Sequence, residues 1–418
     1  MLNDFYQDWN SARNLRNGLP IYADIDLTIE RYLGRSPRDW PTGFWRVNAH
    51  PPASVLLVYP FAWLGYQNAF FVWTLTSFAA LAIALWLIVR HLDIQLSASS
   101  VLPCVAMLLL CYPFRSQVNQ GQFNLLILLL VTLVWVAARS GCSRCAGVAL
   151  GVATVVKLFP GLLFLYFVLQ REWKVVTFGA ATVAAIAVFM AMAFPATTLH
   201  TYLVEVLPSL NQWQSHASNI SLIGFWSKLF DPIPGGPIAI LPVWHSHVLA
   251  RVGGLLSCGA ALAATIVVIL QARKRSDLDL AFGLLVTTTL LVSPLTWEHY
   301  LVLLILPIAI MWVHLAESGP IKWIWALFVI ALFPPQGLIW KHLIPGPWPH
   351  VTAEPLHVVT ALSYQFYALL GLFTMQWMKA QPSTFRWPIS VWHRYVDPRW
   401  QMIEDILREQ FIKVTSVK

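Results

Sequence analysis

Two carboxylates stand four residues apart at the start of the chain, in a polar and aromatic run that ends at Trp9. Asp4 and Asp8 have the i, i+4 spacing that places side chains on one face of a helix. A carboxylate just outside a membrane can act as a general base that removes a proton from a hydroxyl group. The alternative is that both are solvated loop acids, or caps of a helix that begins near Asp8. We favour a base, with one of these two carboxylates in that role.

A second set of polar residues lies within or beside apolar stretches. Lys157 falls near the middle of one such stretch, where an ionisable side chain is costly and is a functional candidate unless it snorkels to the interface. Arg115 lies in the short outside turn between two other stretches, next to several amides, among them Gln122 and Asn124. These amides can bind hydroxyls or phosphate oxygens, and they can equally satisfy helix ends.

The run Trp297, Glu298 and His299 places a stacking surface, a carboxylate and an imidazole together at the end of another apolar stretch. Anchoring in the aromatic belt of a membrane explains the tryptophan alone, so we favour a binding site here. His50, beside Asn48, is a further substrate-contact candidate, although a residue that starts a helix is the plainer interpretation.

Composition defines the class of protein. The chain has 58% hydrophobic and 11% charged residues, which is typical of an all-α, polytopic helical membrane protein. The formal net charge is +8, but the basic residues stand mostly in short loops and in the tail, a pattern of cytoplasmic anchoring rather than of nucleic-acid binding. Among five cysteines, Cys142 and Cys145 form a lone C-x-x-C, which we interpret as plain loop cysteines without a metal or redox role.

Hydropathy predicts about nine full membrane spans, preceded by a first loop at residues 1–50 and a short interfacial helix at 51–64. The membrane domain covers 51–378, with a long extracytoplasmic loop at 195–246, and a basic cytoplasmic tail follows at 379–418. No apolar stretch precedes Asn3, so we expect a first span encoded upstream. The predicted spans are 69–89, 97–112, 123–138, 175–194, 247–270, 280–292, 300–314, 323–338 and 358–378.

The segment 146–169 can be interpreted as one span or as two half-helices, because Lys157, Pro160 and Gly161 interrupt it. The basic loops around Arg139 and Arg273 share one side of the membrane only if this segment enters and returns. The charge pattern therefore favours a re-entrant hairpin with Lys157 near its tip, and it places the first loop outside and the C-terminus in the cytoplasm.

Unusual polar motifs follow one another in a fixed order among the apolar stretches. They are Asp4-Phe5 with Trp9, Gly18-Leu19-Pro20-Ile21-Tyr22, Pro51-Pro52, Gly121-Gln122-Phe123-Asn124, Lys157 with Pro160, Asn219-Ile220-Ser221-Leu222, and Ser293-Pro294 with Trp297 and His299. This order resembles glycosyltransferase family 87 of the GT-C superfamily, over roughly residues 3–310. Two departures from the family pattern are the missing leading helix and His50, which stands where an aromatic residue often precedes two prolines.

The resemblance implies an enzyme of the plasma or inner membrane that transfers a sugar, mannose above all, from a polyprenyl-phosphate donor to a lipid or glycan acceptor. Asp4 falls at the family's first-loop aspartate and is the first candidate base, with Asp8 second. Lys157 or Arg115 would stabilise the departing phosphate. Asn219 would serve a structural or substrate-loop role, and an inverting outcome is expected.

Three further expectations complete the interpretation. Asp4 and Asp8 could hold a divalent cation, but no second strong ligand pair is visible, so we predict that no metal or other cofactor is required. The expected partners are the donor, the acceptor and membrane lipids, with no nucleic acid. The alternative function is a multi-span transporter or lipid flippase, which also needs many spans and a broken helix, although no internal repeat is found.

Overall fold

The computed structural model describes residues 3–34, 47–233, 238–315, 320–346, 348 and 351–381. The tail expected at 379–418 lies almost wholly outside the described residues, as does part of the first loop. The described chain is mostly helical. The helices are α1 (Phe5–Arg16), α2 (Ile25–Leu33), α3 (Pro52–Val58), α4 (Tyr66–His91), α5 (Ala98–Leu110), α6 (Tyr112–Gln120), α7 (Asn124–Arg139), α8 (Ser143–Val156), α9 (Phe164–Leu169), α10 (Trp173–Ala193), α11 (Thr197–Thr201), α12 (Leu207–Ser209), α13 (Leu222–Phe230), α14 (His247–Gln271), α15 (Arg275–Val292), α16 (Ile305–His314), α17 (Pro320–Ala331), α18 (Gln336–Leu343), α19 (Pro355–Val359) and α20 (Tyr364–Ala380).

Two short strands qualify the all-α expectation. β1 (Ile238–Ile240) and β2 (Val351–Ala353) pair in parallel, with Ile238 opposite Val351. They pack with Trp340 and Val358 in a small apolar cluster that is separate from the main core. The strands therefore join the loop predicted at 195–246 to the segment that precedes α19.

The first described segment, which contains α1, packs against the membrane domain. Helix α1 is buried along most of its length, because aromatic side chains attach it to the start of the membrane domain. Phe5 stacks on Trp73 of α4 with ring centroids 5.5 Å apart, and the indole of Trp9 donates a hydrogen bond to the Leu64 carbonyl. Arg13 donates to the Ala62 carbonyl at 2.7 Å. This packing fixes the face of α1 that carries Asp4 and Asp8.

Four helical segments of the described chain are long and apolar enough to cross a bilayer, namely α4, α10, α14 and the segment that joins α19 to α20. The number rises to six if each of two bent pairs, α6 with α7 and α17 with α18, counts as one span. The nine full spans that hydropathy predicted are not confirmed. One reason is that a predicted span bends: α17 and α18 meet at 85° near Pro334-Pro335, inside the span predicted at 323–338. Helices α6 and α7 meet at 112° around Gly121, at the start of the span predicted at 123–138.

Helices α8 and α10 pack side by side and run in the same direction. A Cβ on Gly147 would lie 2.6 Å from the Val175 carbonyl oxygen, and one on Gly151 would lie 2.7 Å from the Gly179 carbonyl oxygen. Later residues of α8 therefore contact later residues of α10, so the two helices are parallel. The intervening chain must therefore reverse. It turns at Lys157, whose backbone is extended (φ −140°, ψ 136°), and Gly161 then returns beside Thr154.

The ends of α8 and α9 that lie away from Lys157 thus stand at the same end of the molecule. This is the geometry expected of a re-entrant hairpin, and its depth in a bilayer stays a prediction. The same end holds an ion pair between Arg139 and Asp279, to which the Trp135 indole also donates at 2.7 Å. Cys142 and Cys145, interpreted from sequence as plain loop cysteines, form a disulfide there.

We predict that Gly147→Ala destabilises the fold, because the new methyl group would meet backbone atoms of α10 at 2.6 to 2.9 Å. Overpacking of this kind costs about 1–3 kcal/mol, and thermal unfolding in detergent will show it as a lower Tm. Gly259→Ala in α14 is the matched control, because its Cβ meets nothing within 4 Å and alanine is the better helix former. Equal Tm values for the two variants would contradict the close packing of α8 on α10.

Candidate active site

A network of amides and one ammonium group lies where the hairpin turns. Lys157 is 4% exposed, and its Nζ donates to Gln122 Oε1 and Asn124 Oδ1, both at 3.0 Å. The ammonium also lies 4.2 Å from the centre of the Tyr300 ring, a cation–π contact. Because Asn124 begins α7 and Gln122 follows the left-handed Gly121, the bend between α6 and α7 presents both amides to the lysine.

Asp4 connects to the same network through one amide. Gln122 Nε2 donates to Asp4 Oδ2 at 2.8 Å, while its other end accepts from Lys157. The Asp4 side chain is partly buried, and desolvation raises the pKa of its carboxyl, although the Gln122 hydrogen bond and the charges of His50 and Lys157 oppose that effect. Within the described chain, Asp4 Oδ1 has no hydrogen-bond donor in contact.

Asp8 lies one helical turn further along α1 in a very different setting. It is 1% exposed, and both of its oxygens contact His50 Nδ1, at 2.9 and 3.0 Å. Asn48 Nδ2 donates to the same carboxylate at 3.1 Å, and Ser54 Oγ lies 3.4 Å away. The Asp8 carboxylate is therefore held in place by its neighbours, and it holds the His50 imidazole in turn.

His299 joins the site through its backbone and its ring. Asn124 Nδ2 donates to the His299 carbonyl at 3.2 Å, which ties the start of α7 to the 3₁₀ segment Glu298–Leu304. The imidazole is 8% exposed, and its Nε2 is buried without a hydrogen-bond partner among the described residues. Six predicted residues thus meet at one place: Asp4, Asp8, His50, Gln122, Asn124 and Lys157, with His299 at its edge.

Three other candidates lie apart from this network. Trp297 packs against His216, with ring centroids 5.0 Å apart. Glu298 turns instead to the N-terminus of α18, where the Gln336 backbone N–H donates to its carboxylate. Arg115 is exposed on α6, whereas Gln117 of the same helix is buried and accepts a hydrogen bond from Asn124 at 2.8 Å.

Asn219 serves as a brace between two loops. Its Nδ2 donates to the carbonyls of Gln214 and Pro294, and its Oδ1 accepts from the backbone N–H groups of Ser221 and Thr296, all at 2.8 to 3.1 Å. The side chain is fully buried, and these four hydrogen bonds to backbone groups use both N–H donors and the carbonyl oxygen of the amide. This geometry favours the structural one of the two roles that the resemblance offered.

Two residues of interest were missed from sequence. Tyr300 lies under the Lys157 ammonium, and its position next to His299 was the available signal. Lys228 of α13 is 0% exposed, and its Nζ donates to the carbonyls of Ala217, Asn219 and Leu362 at 2.9 to 3.4 Å. Burial lowers the pKa of Lys228 to about 7. No sequence pattern separated this lysine from one on a solvated helix face.

Neither catalytic candidate belongs to a metal cluster in the described part of the chain. A group of three ligand atoms from His, Cys, Asp or Glu within 4.8 Å of one another occurs once there, and it includes neither Asp4 nor Asp8. The prediction that no metal is required stays a prediction.

The fold and the site together define a multi-pass helical membrane protein whose polar centre combines carboxylates, an imidazole and an ammonium group at one end of the bundle. Comparison with known families identifies it further. The model of glycosyltransferase family 87 matches residues 48–294, more than half of the chain. The chain therefore belongs to this family and is a glycosyltransferase.

The curated relatives carry related names. The chain is 28% identical over 341 residues to a polyprenol-phosphate-mannose-dependent alpha-(1-2)-phosphatidylinositol mannoside mannosyltransferase of Mycolicibacterium smegmatis, covering 76% of this chain and 70% of that protein. It is 26% identical to the corresponding pentamannoside mannosyltransferase of the same species, covering 79% and 78% of the two chains. An alpha-(1->3)-arabinofuranosyltransferase of Mycobacterium tuberculosis is 23% identical over 60% of this chain and 56% of its own length.

We predict that Asn219→Ala lowers the stability of the protein rather than its affinity for a substrate. The buried N–H groups of Ser221 and Thr296 would lose their acceptor, at about 1–3 kcal/mol for an unsatisfied buried group. Thermal unfolding measures the loss, and the exposed Asn211→Ala is the control. Unchanged Tm together with a raised KM for the donor would show that Asn219 contacts the substrate instead.

Proposed function

We propose that this chain transfers a mannosyl group from a polyprenyl-phosphate donor to a hydroxyl of a lipid-linked or glycan acceptor, at the extracytoplasmic face, with Asp4 as the general base. The observation that carries the proposal is the chain of contacts from the Asp4 carboxylate through Gln122 to the Lys157 ammonium. In this chain of contacts a single amide side chain, that of Gln122, separates a proton acceptor from a cation. Transfer from a sugar phosphate to a hydroxyl needs both.

Asp4 is the better base of the two carboxylates because it keeps a lone pair for the acceptor. Its Oδ2 is occupied by Gln122, and its Oδ1 contacts no hydrogen-bond donor in the described chain. Asp8 is instead fully buried and committed to His50 and Asn48. We assign Asp8 the role of a positioning residue, which holds His50 beside the site.

Negative charge develops on the phosphate as it leaves, and a cation held in a fixed position stabilises that charge. Lys157 is held by two amide oxygens and an aromatic face, so its position needs little rearrangement when negative charge develops nearby. Attack by the acceptor on the face opposite the phosphate would invert the anomeric carbon. A single carboxylate base and no covalent nucleophile would suffice for that outcome.

The proposed side of the membrane follows from the two ends of α7. Asn124 at its first turn contacts Lys157, and Arg139 at its last turn pairs with Asp279, so the site and the basic end lie about 22 Å apart at 1.5 Å per residue. Basic loops favour the cytoplasm. The site is therefore proposed to face away from it.

The decisive prediction concerns Asp4→Asn. We expect transfer of radiolabelled mannose from a polyprenyl-phosphate donor to acceptors in isolated membranes to fall by about 10²–10⁴-fold, the usual contribution of a positioned base. Phosphatidylinositol mannosides, named for the relatives, form the first acceptor panel. Glu30→Gln, an exposed acid in the same segment, is the matched control. Transfer that survives Asp4→Asn would eliminate Asp4 as the base, and lipid movement without transfer would support a flippase.

The pH dependence of the parent enzyme supports or opposes the same assignment. The base must be ionised, and burial raises the pKa of Asp4 above its ordinary value of 3.8. Activity is therefore present above that raised pKa and is lost as the pH falls through it, earlier than for an exposed aspartate. An acid limb that is identical in the parent and in Asp4→Glu, with both at ordinary carboxyl values, would argue against a desolvated base.

A further prediction separates the cation from the base. Lys157→Met removes the ammonium but keeps the length of the side chain, and we expect kcat to fall by about 10²–10³-fold, the range known for loss of one charge-stabilising donor. Lys157→Arg should retain part of the activity because it retains the charge. Binding of the donor, measured by competition with unlabelled polyprenyl phosphate, serves as the second measurement. Equal kcat values for Lys157→Met and Lys157→Arg would remove the electrostatic role.

A further inference from the structure

Outside the candidate active site, three side chains with metal-ligand chemistry meet at the junction of α13 and α14. Asp231 follows the last residue of α13, and His245 and His247 stand on either side of Ser246, which precedes α14. Their ligand atoms all lie within 4.8 Å of one another. His247 Nδ1 is already 2.6 Å from Asp231 Oδ2. None of these three residues takes part in the network around Lys157.

The backbone directs the two imidazoles to the same side. Ser246 is extended, with φ −157° and ψ 106°, and alternate residues of an extended segment project to one face. The rings of His245 and His247 accordingly lie with centroids 5.1 Å apart and nearly perpendicular planes. The pairing of the histidines thus follows from their spacing and from the local conformation.

Hydrogen bonds hold this segment against the end of α13. The N–H of Val243 donates to the Leu229 carbonyl, and the N–H of Ser246 donates to the Phe230 carbonyl, both at 2.8 Å. The Ser246 hydroxyl then caps α14 by accepting from the Leu249 N–H at 3.2 Å. Backbone hydrogen bonds therefore hold the segment that carries the histidines beside Asp231.

We propose that Asp231, His245 and His247 form a binding site for a first-row transition metal, with Zn²⁺ as the preferred ion. Two imidazoles and one carboxylate are a common zinc ligand set, with a water in the fourth position. Donors of a tetrahedral zinc lie about 3.3 Å apart, which is within the spread that these side chains already show. Mg²⁺ and Ca²⁺ prefer oxygen ligands and do not match the two imidazoles.

The ion would tie the end of α13 to the start of α14. His247 is 68% exposed in its side chain and Asp231 25%, so solvent and a metal ion reach the site directly. The opposite end of α13 begins at Ser221, which is held by the Asn219 brace next to Thr296. The metal would therefore fix the end of α13 that lies opposite the Asn219 brace.

Zinc binding by the purified full-length chain tests the proposal without any activity assay. The protein is prepared with an affinity tag that lacks histidine, stripped with a chelator, loaded with Zn²⁺ or Mg²⁺ and separated from free ions before elemental analysis. We expect the parent to retain zinc but not magnesium, and His245→Ala/His247→Ala to lose that zinc. The control is His200→Ala/His342→Ala, which removes two other exposed histidines and should retain it.

Two further measurements protect the test against an unstable variant. Asp231→Asn changes the side chain little in size. It should weaken zinc binding by at least about 10-fold, because loss of a direct ligand costs no less than loss of an outer-shell partner, which costs about 10-fold or more. X-ray absorption of the zinc-loaded parent should show imidazole nitrogens and oxygen at about 2.0–2.2 Å. A parent that retains no more zinc than His245→Ala/His247→Ala, or a control that loses it equally, would overturn the proposal. Absorption data without imidazole ligands would do the same.

Discussion

The need to satisfy the buried ammonium group of Lys157 organises this end of the molecule. A charge removed from water costs several kcal/mol unless it is paired or hydrogen-bonded, and here two amide oxygens and one aromatic ring surround it. Those partners come from the bend after α6, from the start of α7 and from the segment that precedes α16. One side chain at the hairpin turn therefore fixes how three other parts of the chain meet.

The amides extend this constraint to the first segment. Each carboxamide has an acceptor and a donor end, so Gln122 accepts from Lys157 and donates to Asp4, while Asn124 accepts from Lys157 and donates to Gln117 and His299. Lysine or arginine at either position would repel Lys157, and a carboxylate could not donate onward. The amide type is what allows opposite charges to share one network without direct contact.

Sequence reasoning located this network because its members are polar residues in an otherwise apolar chain, where polarity has to be explained. It assigned less well where the deciding interactions are tertiary. Asn219 and Glu298 are as polar as Gln122, yet they bind backbone groups of neighbouring loops. No local sequence pattern predicts these backbone contacts. The nine predicted spans are not confirmed for a related reason: hydropathy counts apolar residues, but the bend near Pro334-Pro335, inside the span predicted at 323–338, depends on backbone geometry.

The two carboxylates of α1 show how one helical face can hold two different groups. Both project from the same helix one turn apart, so local sequence cannot separate their roles. The environment does: the Asp8 carboxylate contacts the His50 ring and accepts hydrogen bonds from Asn48 and Ser54. Asp4 is desolvated instead and has one side-chain hydrogen bond, from Gln122. The fully hydrogen-bonded Asp8 therefore fits the proposed role of orienting the imidazole, and Asp4, which has one oxygen without a donor in the described chain, fits the proposed role of accepting the acceptor's proton.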